Sequence, residues 1–234
     1  MRLGGPLFGE QDTAQKWVKC VRDHAYGAAC VPLRWDADRT VIADYARAAI
    51  DNNIIIPEVG AFGVNPISPD QSERRDAIDY CQRQLELADK LGACCCVNIA
   101  GAMGEAWNLA YSGNFSQDAF ELTVSSIRAI IDGVEPESTY YTVETMPWIF
   151  PDSPESYLEI IDAVDRERFA VHFDPVNMIC APRLYFDNTA LIKRGFELLG
   201  PRIKSSHAKD TLIDTSLTVN LREVTPGEGN LDFD

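Results

Sequence analysis

FAVHFDPVN, residues 169–177, decides how this sequence is read. A short run, apolar except for His172, leads to Asp174, a carboxylate able to bind a metal. The same texture occurs before and after it. YYTVETMPW (140–148) leads to Glu144, and RIKSSHAKD (202–210) leads to His207. Glu144 and Asp174 are 30 residues apart (174 − 144), and Asp174 and His207 are 33 apart (207 − 174). Each interval is about the length of one strand-plus-helix unit. Three polar residues therefore recur at equivalent positions on consecutive strands.

The rest of the chain follows the same alternation. Residues 2–5, 29–34, 54–62, 94–101, 140–145, 169–175 and 202–210 read as strands, mostly apolar. Helical periodicity fills the intervals, at about 12–26, 40–53, 72–93, 115–134, 153–165 and 188–200. The clearest helix is SERRDAIDYCQRQLELADKLGA, with Ser72 as the expected cap and Gly92 near its end. Near-continuous apolar strands between amphipathic helices indicate a parallel sheet with helices outside it. An open doubly wound sheet would carry a glycine-rich phosphate loop after the first strand. LGGPLFG (3–9) has glycines without the GxGxxG spacing. A closed barrel instead gathers its chemistry at the C-terminal ends of several strands. Glu58, Asn98, Glu144, Asp174 and His207 all fall at such ends, so the expected fold is a (β/α)8-type TIM barrel. The 234 residues are read as a single domain, 1–234.

Bulk properties narrow the partners. The formal charge of −15 opposes a phosphate backbone, so no nucleic acid partner is expected. No membrane-spanning run is present, and the N-terminus lacks the pattern of a signal peptide. Seven cysteines, an odd number with three adjacent, do not form a disulfide framework; reduced thiols and a cytoplasmic location are expected.

Two carboxylates and an imidazole suit a divalent metal ion, Mn²⁺ first, with Mg²⁺, Co²⁺ or Zn²⁺ as alternatives. Further candidates line the expected barrel mouth. Glu58 and Asn98 end the third and fourth strands, and Trp148 could supply an apolar wall. Asn177 and Lys209 could orient hydroxyls or a carboxylate. His172 lies two residues before Asp174 and so on the same side of its strand.

The order Glu, Asp, His on strands five, six and seven resembles the sugar phosphate isomerase/epimerase family of xylose isomerase-like TIM barrels. The matching text is VET around Glu144, HFDPVN around Asp174, SHAKD around His207 and the downstream PGEGNLDF. The resemblance implies a metal held by Glu144, Asp174 and His207. It implies a carbonyl polarised by that metal, an enediolate intermediate, and Glu144 as both ligand and proton-transfer group, acting on a sugar substrate. It also implies a fourth ligand, a glutamate on strand eight. The sequence stops just after PGEGNLDF, so the eighth βα unit is expected to be lacking. The edges this leaves would favour homo-oligomers. Ketose 3-epimerases of the family usually carry a histidine three residues after the aspartate, where this chain has Asn177. They also carry an arginine shortly after the metal-binding histidine, where it has Lys209 to Ile213. The alternatives are a lyase of the same superfamily (a dehydratase or a deglycosidase subunit) and a non-catalytic barrel with a decayed site. A DNA-repair endonuclease of the endonuclease IV type is disfavoured, because only three histidines are present and the charge is wrong.

Overall fold

A computed structural model describes residues 1–232; Phe233, the end of the PGEGNLDF segment, and Asp234 lie outside the described residues. Five parallel strands form the main sheet: β1 (Glu58–Gly60), β2 (Cys95–Asn98), β3 (Tyr141–Glu144), β4 (Phe169–Phe173) and β5 (Ile203–Ser206), in that spatial order. Single parallel bridges from Gly4 to Ala28 and from Ala28 to Ile55 continue the order backwards. The first expected strand, 2–5, is thus reduced to the single bridged residue Gly4, and the second, 29–34, is replaced by a bridge at Ala28, one residue before it. Prolines at 6 and 32 lack the N–H that a longer ladder needs.

The long helices are α1 (Ala14–Asp23), α2 (Arg39–Asp51), α3 (Gln71–Leu91), α4 (Gln117–Val134) and α5 (Pro154–Val164). Two short helices, α6 (Pro175–Met178) and α7 (Pro182–Phe186), precede α8 (Asn188–Leu199). The cap of α3 is Asp70, not Ser72. Its carboxylate accepts from the N–H groups of Ser72 and Glu73, both at 2.8 Å. A carboxylate there also faces the positive end of the helix dipole, which a hydroxyl two residues later cannot do. Gly92 ends α3 in the left-handed conformation, as expected. Ser153 caps α5 through a capping box with Ser156.

The core lies between the outer face of the sheet and the helices. Cys96, Val143, Val171 and Phe173 pack there against Leu85, Ile130, Tyr157 and Ile160. The Tyr157 hydroxyl donates to Val143 O at 2.7 Å and accepts from His172 N at 3.2 Å. It ties β3 to β4 just below the polar strand ends.

The sheet is strongly curled. In a flat sheet, four strand spacings would put β1 and β5 about 19 Å apart. Instead Ser205 on β5 donates to Glu58 on β1 at 2.9 Å. The inner face therefore closes on itself as an incomplete TIM-type barrel.

The seventh expected strand, 202–210, ends early at Ser206. His207 to Lys209 are an irregular connection, and Asp210 begins an antiparallel hairpin of β6 (Asp210–Ile213) and β7 (Leu221–Val224). That hairpin was not anticipated from the sequence.

Candidate metal centre at the barrel mouth

Parallel pairing of β3 and β4 sets Glu144 directly beside His172. Register partners point to the same face, and that face is the barrel interior. Asp174 follows one residue after β4 and also caps α6, accepting from Asn177 N at 3.3 Å. His207 follows β5, its N–H bonded to Phe173 O at 3.1 Å. Three neighbouring strands therefore deliver three donors to one place. His207 Nδ1 lies 3.2 Å from Glu144 Oε1 and 3.3 Å from Asp174 Oδ2.

These spacings suit a divalent ion. Donors about 2.1 Å from an octahedral ion, at right angles to one another, lie about 3.0 Å apart. The donor chemistry, two hard oxygens and one imidazole, agrees. Glu144 and Asp174 are buried, and buried carboxylates are retained only with cationic or hydrogen-bonding partners.

Two cations of the chain supply those partners. Lys209 Nζ lies 2.8 Å from Asp174 Oδ2, 3.7 Å from Glu144 Oε1 and 3.4 Å from Glu223 Oε2 on β7. Burial opposes charge on His207, but hydrogen bonds to Asp174, Glu144 and Glu58 outweigh it and hold its pKa up at about 12. An arriving ion must displace that proton, and the lysine must shift. Glu223, more than half exposed, offers the ammonium another partner.

The two carboxylates are pushed in opposite directions. Burial raises the Glu144 pKa. Burial acts the same way on Asp174, but the His207 hydrogen bond and the Lys209 charge overcome it and lower the Asp174 pKa. A pair split in this way has one member suited to accept a proton and one that stays ionised.

The other expected residues divide. Asn177 donates to Glu144 Oε1 at 3.2 Å and to Thr145 O at 3.0 Å, and so orients the glutamate. Glu58 is not at the rim. It sits one layer deeper, 3.5 Å from His207 Nε2 and 3.3 Å from His172 Nδ1. Trp148 packs in a small apolar cluster around Ile67, Ala100, Ala119 and Ile149. That cluster touches the site through Met146, whose sulfur is 3.6 Å from Asn177 Nδ2.

Asn98 is a correction. It pairs with Val143, which faces the helices, and its amide points at Cys81 on α3 at 3.5 Å. It therefore turns away from the barrel interior and cannot reach a substrate at the mouth.

Sequence reasoning missed the inward-facing Cys95. It pairs with Glu58 across β1 and β2, and only that register reveals which cysteine of the triplet faces inward.

The chain matches, over residues 21–234, the model of a family described as xylose isomerase-like TIM barrel. No curated protein matches this sequence. Among solved structures, 3-keto-D-glucoside 4-epimerase from E. coli superposes with a TM-score of 0.66 at 12% identity, covering 88% of this chain and 77% of that one. A xylose isomerase-like TIM barrel protein from Mycobacterium smegmatis, in complex with magnesium, gives 0.64 at 15% identity, over 93% and 75%. A probable 3-DHS dehydratase from Bacillus anthracis gives 0.62 at 17% identity, over 88% and 70%. At these identities the likeness is one of fold. Among the described residues no helix is long and apolar enough to cross a membrane.

Proposed function

Because the chain belongs to the xylose isomerase-like TIM barrel family, we propose that it is a divalent-metal-dependent isomerase or epimerase of a sugar or sugar derivative. The observation that carries this reading is that His207 Nδ1 lies within 3.3 Å of both Glu144 and Asp174, at the ends of three adjacent strands. An ion held there, Mn²⁺ by preference, would polarise a substrate carbonyl and offset the negative charge that grows on its oxygen. The chain's own groups supply the rest. Glu144, with its raised pKa, takes the proton from the carbon next to that carbonyl and returns it on its own face, to the neighbouring carbon in an isomerisation; an epimerisation needs a second acid on the opposite face of the substrate. Asp174 stays ionised. Asn177 keeps the Glu144 carboxylate in one orientation. Lys209 presents an ammonium to a substrate oxygen.

A lyase is the second reading, and Lys209 favours it. A cation 2.8 Å from Asp174 is placed to hold a substrate carboxylate, which a neutral sugar lacks. The probable dehydratase among the structural relatives has the same fold.

One experiment addresses both. The protein is incubated with Mn²⁺ and a panel of ketoses, aldoses and sugar acids in D₂O, and the products are read by mass spectrometry and NMR. Deuterium at the carbon beside the carbonyl, with an epimer or isomer formed, supports the first reading. Loss of water from a sugar acid supports the second. Mn²⁺ binding with neither deuterium uptake nor dehydration in any substrate overturns both. Glu144→Gln should abolish the exchange.

A further inference from the structure

We propose that Glu58, Cys95 and His172 form a second metal site, one layer deeper in the barrel, for a thiophilic divalent ion such as Zn²⁺ or Co²⁺. One atom from each, a carboxylate oxygen, the thiol sulfur and a ring nitrogen, lies within 4.8 Å of the other two. The three side chains come from β1, β2 and β4, and the first two are register partners. Cys95 and His172 are fully buried, and Glu58 is mostly so.

The independent sign is His172. Both of its ring nitrogens are buried without a hydrogen-bond partner. Nδ1 comes within 3.3 Å of Glu58 Oε2 but makes no hydrogen bond with it. A buried imidazole with neither nitrogen satisfied is costly, and native proteins keep few such groups. A metal ion bound to Nδ1 would satisfy one of them.

The spacing is close to what such an ion needs. Donors at about 2.0–2.3 Å around a tetrahedral ion lie roughly 3.3–3.7 Å apart. The Glu58–His172 pair already has that separation. Cys95 donates a weak 3.5 Å bond to Pro57 O and is also hydrogen-bonded to Thr142; as the metal–sulfur bond forms, the thiol proton would leave by way of Glu58 and the cavity it lines. Glu58 also lines a cavity of about 490 Å³ that Cys30, Ser205 and His207 share, which gives an ion a way in and leaves room for a fourth ligand such as water. Sulfur and nitrogen donors select for Zn²⁺ or Co²⁺, whereas the two carboxylates at the mouth accept Mn²⁺ or Mg²⁺. His172 and His207 meet edge to face at 4.3 Å between ring centroids, so the two centres share a wall.

The test is Co²⁺ loading of the full chain, followed by absorbance and metal analysis. The expected result is two ions per chain and a thiolate-to-cobalt charge-transfer band in the near ultraviolet. Asp174→Ala should keep the band with one ion, which separates this site from the one at the mouth. Cys95→Ser should lose the band and one equivalent. No charge-transfer band in the folded wild-type protein overturns the proposal without any variant. So does a band that survives in Cys95→Ser, which would trace it to another of the cysteines.

Discussion

Two aspartates, Asp174 and Asp210, are equally inaccessible to solvent and are furnished in opposite ways. Asp210 is held by backbone. One oxygen accepts from the N–H groups of Thr211 and Leu231, at 2.8 and 3.1 Å. The other accepts from Gly227 and Gly229, at 3.0 and 2.8 Å. The PGEG turn is wrapped around this one carboxylate. Asp174 instead faces side chains that carry protons: His207, Lys209 and the neighbouring Glu144. Backbone amides cannot leave, so they make a carboxylate structural. Side-chain cations can be displaced by an ion, so they leave a carboxylate available for chemistry. The motif SHAKD serves both purposes within four residues, sending His207 and Lys209 to the site and Asp210 to the loop.

The contrast can be broken by experiment. Asp210→Ala strands four backbone donors and should cost about 3–5 kcal/mol of stability in chemical denaturation. A loss under about 1 kcal/mol would mean that the loop does not depend on it. Asp174→Asn keeps the shape and the helix cap but removes the charge that His207 and Lys209 face, so apo stability should fall by about 1–3 kcal/mol, less than for Asp210→Ala. Its Mn²⁺ affinity by calorimetry should fall at least about 100-fold. If instead stability collapses, the two aspartates are alike. Gly229→Ala sharpens the structural side. A Cβ there would lie 2.2 Å from Asp210 Oδ1 and 2.4 Å from Thr211 O, and the forced shift should cost about 1–3 kcal/mol.

The chemical side has a pH signature. The raised pKa of His207 stabilises the apo fold fully below the unfolded value near 6.5, and that stabilisation is lost as pH rises toward about 12. A metal replaces that proton. Mn²⁺ affinity should therefore climb roughly tenfold per pH unit across the neutral range, read from titrations at several pH values. An affinity indifferent to pH would mean that His207 is not a ligand. The smallest effect concerns Lys209. Lys209→Met removes an ammonium that competes for Asp174, and should tighten Mn²⁺ binding by about threefold in the same assay. Weaker binding would give the lysine a different part in the site.

Much of the mouth was legible in the sequence. Helical and strand periods, with intervals of one βα unit, were enough to align Glu144, Asp174 and His207, and all three meet. The deeper layer was not legible. Glu58 read as a rim residue, and His172 gave no sign of its missing partners. The hairpin from Asp210 to Val224 lies in a stretch beyond the seventh expected strand to which the sequence reading gave no element.

The sequence by itself determined the order of elements, the barrel class and the level at which the polar strand ends collect, because these follow from local period and chain length. Only the tertiary structure decided which way each strand residue points. A strand buried on both faces carries no alternation of polar and apolar residues to mark its inner side. A shift of one residue in register exchanges the two faces. That is why Asn98 reaches the helix layer while Cys95, three residues earlier, faces Glu58 and His172 inside the barrel.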